Sequence, residues 1–162
     1  MAATSTINLD FSYSNMETKT MRLLSVLGKR FVDKDGNSQF AMVQLGEAER
    51  PLISDFIHKA LHDVVAKITP LVSNYSEDES NVSFTVTNSR WDTSTEIGLN
   101  STFAYTVVDY CVSTAIADYL ALYFPSQSSF YKNRAAEILN NIISICYYKQ
   151  PQVAQNYSYL DQ

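Results

Sequence analysis

The residues whose types and spacing could do chemistry are few, and each group falls short of a complete site. Asp33-Lys-Asp-Gly-Asn-Ser-Gln-Phe40 opens like a calcium loop, with Asp33, Asp35 and Asn37 at the first three ligand positions. An EF-hand also needs glycine at position 6 and a bidentate Glu at position 12; here those positions hold Ser38 and Gln44. The stretch reads instead as a hairpin turn, with Gly36 free to take a positive φ between two apolar runs, and no structural calcium is expected there. His58 and His62, four apart on a helical segment, could bring two rings to one metal, but no third ligand is placed and Lys59 is not a metalloprotease Glu. They are expected on a solvated helix flank.

Leu27-Gly-Lys-Arg30 touches the P-loop pattern, but the first glycine would fall at Leu23 and the hydroxyl at Arg30. Asp109 and Asp118 are nine residues apart, on opposite sides of a helix by its ~100° step, so they form no carboxylate dyad. Cys111 and Cys146 lie in apolar helical patterns with no basic neighbour to generate a thiolate; both are expected as free, buried thiols. The expectation is a chain with no catalytic, metal or cofactor site.

The elements that would position these groups are mainly helical. The expected fold class is mainly α: a small four-helix bundle-like domain with one short strand, a hairpin insertion and extended termini. Residues 1–15, rich in Ser, Thr and Asn, read as an extended arm. Met16, Met21, Leu23, Leu24 and Leu27 predict a first helix over 16–30, followed by the hairpin-like insert of 31–45. Pro51 sits at the first position of a second helix, where its missing N–H costs nothing, and Ile53, Ile57, Leu61, Val64 and Ile68 supply its apolar stripe. Within a strand-and-loop region over 73–101, Glu77-Asp78-Glu79 reads as an acidic turn before Val82–Thr87, whose period-2 alternation makes one half-buried strand. Trp91 and Gly98 read as loop. A third helix over about 102–124 is apolar on nearly every side, which predicts that a second subunit helps to cover it, with Val112, Ile116 and Tyr119 buried. Pro125 ends that helix, and a fourth runs over about 128–148. After Pro151 the polar tail of 151–162 carries Tyr157, Tyr159 and Leu160, which read as anchors on a neighbouring subunit or another partner.

Composition narrows the classes further. With 162 residues and 46% hydrophobic content the chain can bury a core in one domain, and a formal charge of −5 argues against general nucleic-acid binding. The N-terminal MAATSTINLD has neither the basic nor the apolar region of a secretory signal. Without such a signal, the sequons beginning at Asn74, Asn81, Asn100 and Asn156 read as chance matches. The apolar stretch from Phe103 to Phe124 is interrupted by Asp109 and Asp118, so no membrane span is expected.

The order of these parts resembles a known family. A helix ending in LLSVLGKR, a second ending in KITPLV, the strand VSFTVT and a loop containing Arg90-Trp91 come first. Two terminal helices follow, marked by Ala117-Asp118-Tyr119 and Phe124-Pro125. Together, over about 16–150, they look like the head-to-tail connector (adaptor) proteins of tailed bacteriophages. The resemblance implies a non-enzymatic virion part, made in the host cytoplasm, that forms a ring, commonly twelve-fold, between portal and tail. It also implies partners in the portal and the tail or neck proteins, termini that clasp neighbours, and genomic DNA passing through the lumen without specific binding. A net negative charge would suit that conduit. The insert of 31–45 and the Tyr-rich tail depart from the family's pattern and leave open which ring of the neck is meant. Another neck or tail-completion ring, a small helical ligand-binding or regulatory module, and an enzyme acting through Asp118 are the alternatives.

Overall fold

The computed structural model describes residues 5–30, 47–88 and 96–147. Among them are four α-helices and a three-stranded antiparallel sheet: β1 (Ser5–Ser12), α1 (Tyr13–Arg30), α2 (Arg50–Ile68), β2 (Val72–Glu77), β3 (Asn81–Asn88), α3 (Glu96–Tyr123) and α4 (Pro125–Tyr147), with 3-10 turns at Glu47–Glu49 and Thr69–Leu71. The insert of 31–45, including the Asp33 loop, and the tail of 151–162 lie outside the described residues.

The largest departure from expectation is at the N-terminus. Residues 5–12 are not an extended arm but an edge strand paired with β3, in the register Ile7 to Val86, Leu9 to Phe84 and Phe11 to Val82. All six of these side chains are buried on one face, and Phe11 and Phe84 meet with ring centroids 5.9 Å apart. The opposite face is polar, where Thr85 Oγ1 donates to Asn8 Oδ1 at 2.9 Å. This inside-outside alternation is what holds the register, because a one-residue slip would turn every apolar side chain to water.

β3 is the middle strand, so the single expected strand is flanked on both sides. β2, unforeseen in the sequence, is short and Ser/Asn-rich, and its pairing with β3 slips between Ser73 and Ser76. Asn74 sits in this irregularity at φ 53°, a left-handed conformation that asparagine tolerates better than most residues. The acidic turn forms as expected: Asp78 Oδ1 accepts from the backbone N–H groups of Ser80 and Asn81, both at 2.7 Å, closing the β2–β3 hairpin. Those two bonds hold the Asp78 carboxyl below its ordinary value.

α2 begins one residue before Pro51 and buries Ile53, Ile57, Ala60, Leu61, Val64 and Ile68, the expected stripe. α3 starts at Glu96, so Gly98 lies in a helix rather than a loop. Pro125 not only ends α3 but opens α4, with the break at Phe124. From Val107 to Leu120 every residue of α3 is buried or half-buried, and its neighbours are α1, α2, α4 and β1 of the same chain. Its all-round apolar character comes from its central place among those four elements. Val112, Ile116 and Tyr119 are buried there, within the chain's own core.

Candidate functional site

Among the described residues, the densest set of interacting polar side chains is gathered by Glu77, the last residue of β2. Its Oε1 accepts from the Tyr13 hydroxyl at 2.6 Å and its Oε2 from the Tyr75 hydroxyl at 2.8 Å. His62 Nε2 lies 3.1 and 3.0 Å from the two oxygens. Each partner arrives by a different route. Tyr75 is two residues back on the same strand and so shares a face with Glu77. Tyr13 opens α1 directly after β1, and its own N–H bonds to Ser80 O at 3.0 Å, which brings the ring over the hairpin turn. His62 comes from α2. One turn earlier on α2, His58 stacks on the Tyr13 ring with centroids 3.6 Å apart, and its Nδ1 lies 2.7 Å from the Ser54 carbonyl, to which Nδ1–H can donate.

Electrostatics define what this arrangement can do. Burial alone would push the Glu77 carboxyl up, but hydrogen bonds from Tyr13, Tyr75 and His62 outweigh it and bring the group down to about 2. Burial first, then the bond to Glu77, raise Tyr75 to about 12 and Tyr13 higher still. A carboxylate with both oxygens engaged and so low a proton affinity is a poor general base, and tyrosines held protonated are poor nucleophiles. The geometry is that of a clamp joining β2, α1 and α2. The two histidines are thus not merely solvated, as expected, but enter this cluster. They do not converge on a metal: among the described residues no group of three or more His, Cys, Asp or Glu could hold one.

The remaining sequence candidates are dispersed. Asp109 and Asp118 face opposite ways on α3, as their spacing requires. Asp109 Oδ1 lies 3.6 Å from Lys19 Nζ of α1. Asp118 is half-buried, and burial raises its carboxyl while Lys59 of α2 and Lys132 of α4 pull it back and Asp63 adds to the rise. Cys111 and Cys146 are buried and form no disulfide, and burial pushes both thiols up, Cys146 to about 12. Tyr157, Tyr159 and Leu160, the expected partner anchors, lie outside the described residues.

Two surface features stand apart from the clamp. α1 and α4 scarcely touch, and between them an open groove of about 290 Å³ runs over α3. Val112 and Ile116 form its floor, Leu23 and Val26 one wall, Tyr131 and Arg134 the other. Leu23 and Val26 are 40% and 45% exposed. Near the α3–α4 turn, Leu122 and Phe130 are more exposed still, at 58% and 65%.

Tyr13, Tyr75 and Glu77 were not legible as a group in the sequence. The usable signal was the shared helix face of His58 and His62 combined with the shared strand face of Tyr75 and Glu77. No described helix is long and apolar enough to cross a membrane. No family model, no curated protein and no solved structure matches the chain.

Proposed function

We propose that the chain is a non-enzymatic structural protein of a tailed-phage virion, a ring-forming head-to-tail connector that joins the portal to the tail. In this reading its helices act as a four-helix bundle-like wedge, repeated around the ring. The observation that supports self-association is the exposure of two large apolar side chains near the α3–α4 turn, Leu122 and Phe130. A heterologous contact that uses them closes into a ring when its rotation divides the circle. The order of elements that resembles the connector family supplies the identity of the ring, and the formal charge of −5 fits a lumen along which DNA slides. The Glu77 clamp, with its low proton affinity and engaged oxygens, supports a structural rather than a catalytic role.

The test is copy number. Mass photometry of the full chain should give a species of about 220 kDa for twelve copies of the 18.3 kDa chain, or an increase of that size on the mass of added portal rings. Phe130→Asp should leave the circular dichroism spectrum unchanged and abolish that species. A chain that stays monomeric both alone and with portal rings would overturn the reading. The rival reading, a small ligand-binding module, would use the α1–α4 groove, which lies near the lower limit of about 300 Å³ for ligand pockets.

A further inference from the structure

We draw no further inference here: the strongest candidate, the groove over α3 between α1 and α4, carries nothing, because nothing in the structure shows what covers its apolar floor of Val112 and Ile116.

Discussion

Replacing Glu77 with Gln isolates the clamp, since the amide keeps the shape of the carboxylate but removes its charge and one of its two acceptor oxygens. In the folded protein the carboxyl falls from its ordinary 4.5 to about 2. That drop corresponds to roughly 3 kcal/mol at about 1.36 kcal/mol per pH unit. The clamp lies at the surface: the Glu77 side chain is 24% accessible, His62 is 53% accessible, and water reaches both. Screening reduces the contribution to about 1–2 kcal/mol, most of it from the partly buried Tyr13 bond. Because the folded carboxyl binds its proton more weakly than the unfolded one, the unfolded state holds more protons between about pH 5 and 2. The stabilisation is therefore complete above about pH 5 and is lost as pH falls toward 2. Urea unfolding followed by circular dichroism at pH 7, 5, 4 and 3 measures it. Glu77→Gln should be about 1–2 kcal/mol less stable than the parent at pH 7, a loss of roughly 2–8 °C in Tm, with the difference shrinking toward pH 3. Equal stability at pH 7 together with parallel pH profiles would refute the clamp.

At the alkaline end the sign reverses. Tyr75 is raised to about 12, so its contribution is complete below about pH 10 and lost as pH rises toward 12; Tyr75→Phe should flatten that limb of the unfolding profile. Val112→Asp places a carboxylate in a buried layer of α3, on the floor of the groove that Lys19 and Arg134 also line. It should cost about 3–5 kcal/mol by urea unfolding, and an unchanged midpoint would contradict the packing of α3. Leu9→Ala, on a strand that the sequence suggested was a loose arm, should cost about 2–4 kcal/mol in the same assay, whereas a free arm would register nothing.

What the sequence determined by itself is local. Pro51 marks a helix start because proline lacks the N–H that a first turn leaves unpaired, and Pro125 marks a helix end because proline cannot continue one. The three- and four-residue recurrence of Ile53, Ile57, Leu61, Val64 and Ile68 is legible because a helix face repeats at that interval, and the alternation in Val82–Thr87 because a strand repeats at two. Burial of Val112, Ile116 and Tyr119 and the divergence of Asp109 from Asp118 follow from the same helical geometry.

Tertiary structure decided everything that depends on partners distant along the chain. Ile7, Leu9 and Phe11 alternate among Ser, Thr and Asn, and such a segment is a strand only when β3 supplies the other half of its hydrogen bonds and its apolar face. β2 has almost no apolar signature and exists because β3 and the Asp78 turn hold it. The middle of α3 is covered on several sides because β1, in addition to α1, α2 and α4, packs against it. Glu77 receives Tyr13 across 64 positions and His62 across 15, separations over which no sequence period carries information. Only the folding of α1 and α2 against the hairpin brings those side chains within hydrogen-bonding distance.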